Sequence, residues 1–274
     1  MRHLHCKISG AVEKALQDQH LRTGQSIGHI VRTALSDYLQ VRHSTLFQIS
    51  NITALVEGIY EGEITIDQLR EHGDFGLGTF EGLDGEMIVV DGHFYQVRSD
   101  GRATEVEGSV KTPFAVVTHF IPEKTVENVS CTTFAELEKT VDSLRSSENI
   151  FYAVRIDGTF DFVRTRAMCK TPEGVPLVVA AAHQPEFEFH NVRGTLAGFW
   201  SPRYVSSLNV PGFHIHFINQ ERTGGGHLLD CRASNLRLQI SRENDLRLAL
   251  PENDEFLRAD LTRDPSQDLK KAEH

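Results

Sequence analysis

Gly212-Phe213-His214-Ile215-His216-Phe217, followed closely by Arg222-Thr223-Gly224-Gly225-Gly226-His227, is the stretch around which the rest of the chain is organised. A strand sends residues i and i+2 to one face, so His214 and His216 project together while Phe213, Ile215 and Phe217 face a core. Glycines 224 to 226 allow the chain to double back. His227 then opens a second segment, His227-Leu228-Leu229, that pairs with the first and aims a third imidazole at the same point. Three neutral nitrogen donors with an open fourth position are the donor set of catalytic zinc, and metals from iron to copper accept it too. The chain has 14 histidines, so a chance His-x-His is common. The glycine turn and the third histidine set this one apart.

With 274 residues, 39% of them hydrophobic, the chain can bury a sizeable core in one large domain or two ordinary ones. No apolar run approaches a membrane span, the longest lying around Pro176 to Ala182, and the N-terminus lacks the pattern of a signal peptide. The expectation is a cytoplasmic globular protein with no membrane partner. Cys6, Cys131, Cys169 and Cys231 are widely spaced and too few for a disulfide framework, which predicts reduced and mostly buried thiols. The net charge of -10 is unevenly spread. Residues 1–43 hold six basic and three acidic side chains, leaving -13 on the remainder. A basic head on an acidic body suggests two units with different partners.

In the head, His3 to Ile8 alternates polar and apolar residues and reads as a short strand. Ser9 is placed to cap a helix running to about Thr23, with Gly24 as its C-terminal cap. Ser26 caps a second helix. Its apolar residues Ile27, Ile30, Val31, Ala34, Leu35, Tyr38 and Leu39 share one face. So small a unit cannot bury that face alone, which predicts a dimer. The segments ISGAVEKALQDQH, TGQS and IGHIVRTALSDYL resemble the ribbon-helix-helix family of DNA-binding dimers. The resemblance implies a paired N-terminal ribbon in the major groove, with His3, His5 and Lys7 as possible DNA-binding residues. A dimerisation module that touches no nucleic acid stands beside that reading.

After a junction at Arg42-His43-Ser44, the body reads as Thr45 to Ile49 (strand), Ile52 to Glu57 (helical turn) and a helix capped by Thr65. Hairpins follow, turning at Asp84-Gly85, Asp91-Gly92 and Asp100-Gly101. Phe114 to Phe120 is a further strand, and Thr132 caps a helix carrying Phe134, Leu137, Val141 and Leu144. Ile150 to Ile156 and Thr159 to Met168 read as two strands joined at Asp157-Gly158. Thr195 to Trp200, Phe213 to Asn219, His227 to Cys231 and Leu236 to Ser241 complete the set. The predicted class is α+β, with mixed, largely antiparallel β-sheets and few helices.

HGDFGLGTFEGLDGEMIVVDG (72–92), FYAVRIDGTF followed by TR (151–166), FHNVRGTLAGF (189–199) and GFHIHFINQERTGGGH (212–227) together resemble the α-acetolactate decarboxylase family. The likeness covers the body, residues 44–274, and leaves out the head, residues 1–43. It implies conversion of 2-acetolactate to acetoin and carbon dioxide at zinc or another divalent metal held by His214, His216 and His227. The resemblance places Glu86 beside the metal, as a ligand and catalytic group. Arg166 binds substrate and takes part in catalysis, Glu273 is a second catalytic carboxylate, and Thr79 lines the substrate pocket. The chemistry gives each residue a reason. Loss of carbon dioxide leaves an enediolate that a cation stabilises. A carboxyl group supplies the proton, and a planar guanidinium holds an oxyanion.

Two rival readings remain at this point. His214-x-His216 with Glu221 imitates the ligand spacing of a cupin-like metal oxygenase, which would use all three as ligands. A ligand-responsive ribbon-helix-helix transcription regulator with an enzyme-like sensor body is the other. The complete set of histidines, Glu86 and Arg166 argues against a body that only senses.

Overall fold

The computed structural model of the chain describes residues 5–39 and 44–273, except the side chains of residues 36, 37 and 273. The chain divides into two compact units, residues 1–43 and 44–274. In the first, α1 (Gly10–Thr23) begins at Ser9, whose side chain accepts a hydrogen bond from Val12 N, and ends at Gly24 with φ 71°. α2 (Ile27–Leu39) begins where the Ser26 hydroxyl accepts from His29 N. α1 starts and stops, and α2 starts, where the capping residues require. The expected strand differs. Residues 5–9 carry no strand, and His3 lies outside the described residues. A ribbon strand needs a second strand for its hydrogen bonds, and residues 5–39 supply only helices.

The second unit opens with β1 (Thr45–Ile49), α3 (Ile52–Val56), β2 (Ile64–Thr65) and α4 (Ile66–Arg70). Next come β3 (Phe75–Thr79), β4 (Glu86–Val90), β5 (His93–Val97), β6 (Ala103–Glu105), β7 (Lys111–Thr112) and β8 (Ala115–Thr118). β9 (Lys124–Cys131), α5 (Phe134–Leu144), β10 (Phe151–Arg166), α6 (Leu177–Ala181) and β11 (Glu186–Ser201) lead to β12 (Gly212–Asn219) and β13 (Gly225–Glu243). β14 (Asp245–Ala249), α7 (Asp254–Arg258) and α8 (Ser266–Glu273) close the chain. One sheet has the order β14-β1-β8-β3-β4-β5-β6, antiparallel except for β1 beside β14. A second runs β10-β11-β12-β13-β9, and a further pairing of β10 with β13 closes its first four strands into a ring, while β2 and β7 form a separate two-stranded sheet.

The apolar pattern explains the layering. Along β4, Ile88 and Val90 join the cluster that also holds Phe75, Ala197 and Phe199, whereas Met87 and Val89 join Ile66 and Leu69 of α4 on the opposite face. A strand buried on both faces has no need to alternate, and Glu86-Met87-Ile88-Val89-Val90 does not. Leu137 and Val141 of α5 pack with Trp200, Ile215 and Phe217 on the other side of the ring. Each fully buried aromatic or aliphatic side chain contributes roughly 1.5–3 kcal/mol. Glu86 heads β4 on the same face as Ile88, which carries its carboxyl toward the second sheet.

Three details depart from the expectations. Asp157-Gly158 is no turn but the middle of the continuous strand β10. A Cβ at Gly158 would sit 2.7 Å from Leu236 Cδ2 and 3.0 Å from Asn235 O, so the glycine serves close approach to β13 rather than reversal. Thr133, not Thr132, caps α5, while Thr132 gives both its N–H and its hydroxyl to the Glu136 carboxylate. The hairpin between β12 and β13 turns at residues 220–223. Asn219 organises that turn, accepting from Thr223 N and Gly224 N, and Gly225 and Gly226 already belong to the returning strand. Cys131 and Cys231 are buried free thiols, whereas Cys6 is exposed and Cys169 half-buried.

Candidate metal centre

His214 and His216 leave β12 on one face, and β13 pairs with β12 so that His227 stands directly opposite His216. On the other side of β13, His227 pairs with Arg166, the last residue of β10. One strand start therefore joins three histidines and an arginine. Gly226 permits it. Its φ is 134°, and a Cβ there would fall 2.5 Å from Arg166 O. The imidazole ring centroids lie 5.0, 5.1 and 5.3 Å apart, and one potential ligand atom from each ring lies within 4.8 Å of the others.

All three histidines are buried, His216 completely. The His216 Nδ1–H donates to the Met87 carbonyl of the facing sheet at 2.8 Å, which leaves a lone pair at Nε2. That nitrogen and His214 Nδ1 are buried without a hydrogen-bond partner among the described residues. Burial pushes the His214 pKa down to about 3, with the Arg166 charge adding to the effect. Burial likewise lowers His216 well below the ordinary range, aided by His214 and Arg166 and opposed by the Met87 carbonyl. Neutral imidazoles with orphaned nitrogens are ready for a cation and unsuited to a proton. The donor set thus fits a divalent metal.

Glu86 Oε2 lies 3.5 Å from His216 Nε2, and its Oε1 accepts from Met168 N at 3.0 Å. Thr79, Glu86, Arg166, His214 and His227 line one cavity, whose walls include Ile52, Leu55, Phe114 and Leu177. The Thr79 hydroxyl donates to Gly85 O at 2.8 Å. Its proton is committed to the backbone. Glu273 ends α8, and its side chain lies outside the described residues; Ala272, its neighbour, lines the cavity. Arg164, two residues from Arg166, instead pairs with Glu186, and Arg155 binds Asp91 and Asp157. Glu221 is exposed on the turn and outside the histidine cluster, unlike a cupin ligand. His5 and Lys7 are exposed in the segment before α1.

Sequence reasoning passed over Gln184, which also lines the cavity from just beyond α6. Nothing in its neighbourhood of the sequence marks it. Its position depends on how the segment after α6 reaches the cavity wall, a tertiary fact.

Residues 46–263 match the family model described as Alpha-acetolactate decarboxylase. An alpha-acetolactate decarboxylase of Brevibacillus brevis is 43% identical over 231 residues, covering 84% of this chain and 81% of that protein. One from Methanosarcina mazei is 42% identical over 229 residues, covering 83% and 80%. The crystal structure of alpha-acetolactate decarboxylase from Bacillus subtilis strain 168 aligns with a TM-score of 0.81 at 39% identity, over 84% of this chain and 99% of that one.

Proposed function

The chain belongs to the alpha-acetolactate decarboxylase family, and we propose that its body, residues 44–274, converts 2-acetolactate to acetoin and carbon dioxide with zinc as the bound metal. The observation that carries this reading is the cluster of three histidines with two orphaned imidazole nitrogens, where His214 and His227 line a cavity that also presents a carboxylate and a guanidinium. A cation held by His214, His216 and His227, with Glu86 beside it, would act as a Lewis acid for the negative charge that develops on the ketone oxygen as carbon dioxide departs.

The chain's own groups do the rest. Arg166 holds the substrate carboxylate or a developing oxyanion through a planar fork that never loses its charge. When the C–C bond breaks, its electron pair moves toward the ketone, and one proton must then reach the carbon that lost the carboxylate. Glu86 stands next to that point, and the peptide N–H of Met168 fixes its orientation. Glu273 is the second candidate for the proton transfer. Thr79 shapes the pocket with its proton turned away. Ile52, Leu55, Phe114 and Leu177 keep bulk water from protonating the wrong face.

For residues 1–43 the reading is a ribbon-helix-helix-like dimerisation unit. It is supported by the one-sided apolar face of α2, along which Leu35, Tyr38 and Leu39 are exposed. His3, His5 and Lys7 are its possible DNA contacts, and the ribbon would form only when two copies pair. The test of the main reading is acetoin production from 2-acetolactate by the purified protein, followed colorimetrically with and without added zinc. Absence of acetoin from a zinc-loaded sample refutes it.

A further inference from the structure

Among the groups that line the cavity, Gln184 has the least explained chemistry. Its Oε1 is buried and has no hydrogen-bond partner among the described residues. A buried amide oxygen left unpaired bears its full desolvation penalty, so a site that retains one calls for a donor delivered by the ligand.

We propose that Gln184 Oε1 accepts a hydrogen bond from the tertiary hydroxyl of the substrate, making Gln184 the residue that selects α-hydroxy β-keto acids over β-keto acids lacking the hydroxyl. This rests on the function proposed above and deepens it. In 2-acetolactate the ketone and the carboxylate only accept hydrogen bonds, and the hydroxyl alone donates. The cavity mirrors that inventory. Arg166 is a donor only and suits the carboxylate, whereas the free acceptor at Gln184 suits the hydroxyl. A site built to bond a hydroxyl discriminates strongly against the analogue without it, because the protein group is then left buried and unpaired.

The experiment compares the zinc-loaded wild type with Gln184→Met, which keeps the length of the side chain and removes the strong acceptor, and with Gln184→Glu, which keeps an acceptor. Calorimetry gives the affinities for acetoin and for 2-butanone, the same ketone without the hydroxyl, and kcat/KM is measured for 2-acetolactate. Gln184→Met is expected to lower kcat/KM roughly 10- to 100-fold and to erase the preference for acetoin over 2-butanone, with one metal ion per chain retained. Gln184→Glu is expected to keep the preference. An undiminished preference in Gln184→Met would show that water satisfies the amide and overturn the proposal. Loss of the preference in Gln184→Glu would overturn it too, by showing that the amide nitrogen is the working end. Loss of metal in Gln184→Met would make the residue a support of the metal site and overturn the selective role. A wild type that binds acetoin over 2-butanone but makes no acetoin would count against the proposed reaction and not against this contact.

Discussion

Replacing Gly226 with alanine perturbs the point where the histidine strand meets the arginine strand. Two costs follow from the geometry. At φ 134° an L-residue is strained, which costs on the order of 1–3 kcal/mol. The new Cβ would also sit 2.5 Å from Arg166 O and 3.1 Å from Thr165 Cβ, where ordinary contact begins at 3.4 Å. Relief requires β10 and β13 to part by about 0.9 Å at the register pair Arg166 and His227. Catalytic groups tolerate misplacement of about 0.5 Å, and about 1 Å costs on the order of 100-fold in rate. The expected result is a melting temperature lowered by roughly 5–10 °C, weaker metal retention and a turnover reduced about 100-fold. Gly212→Ala is the control. Its φ is 84° but nothing lies within 4 Å of the added Cβ, so it carries strain without the collision. Melting followed by circular dichroism, metal content by mass spectrometry and acetoin formation compare the two variants. If Gly226→Ala matches Gly212→Ala in all three, the tight contact with Arg166 does not hold the site together.

Further outcomes are expected. Glu86→Gln removes the titratable proton without changing size and should lower turnover roughly 100-fold or more, and Arg166→Lys should also be costly because the fork is lost; stopped-flow or steady-state rates check both. Glu243 is buried, and burial raises its pKa to about 7 against hydrogen bonds from Thr118 and Ser241. An acid whose folded pKa is raised loses stability as pH climbs from its unfolded value, near 4.5, to the folded one. Glu243→Gln should therefore stabilise the protein on the order of 2–3 kcal/mol above about pH 7, with little effect near pH 4, as denaturant titrations at the two pH values would register. Deleting residues 1–43 should leave decarboxylation largely intact, and analytical ultracentrifugation should show a reduced oligomeric state. If residues 1–43 contact DNA and do not serve dimerisation alone, duplex binding by the intact protein should weaken as salt rises.

The histidine site was legible because its signal is local. Period-two spacing fixes His214 and His216 on one face, and a short hairpin can return His227 only to the neighbouring strand. Caps were legible for the same reason: Ser9, Gly24 and Thr65 act within four residues of themselves. Asp157-Gly158 misled because the dipeptide that favours a turn also suits a strand whose neighbour approaches closely, and only the neighbour Leu236 distinguishes the two. β9 escaped notice because Lys124–Cys131 is mostly polar and pairs along one edge of β13, with few buried side chains. β14 and Gln184 depend on contacts distant in sequence, β14 through its parallel pairing with β1 and Gln184 through the cavity that it shares with the histidines.

His216 bears most directly on the central claim, since it is fully buried, held by Met87 O through one nitrogen, and left with an orphaned lone pair at the other. The decisive measurement is metal content and acetoin formation side by side for the wild type, the chelator-stripped wild type, the same sample after zinc is restored, and His216→Ala. The account predicts one divalent ion per chain and turnover in the first and third samples, with both lost together in the second and fourth. Full turnover in the stripped protein, or in a His216→Ala variant without metal, would contradict it.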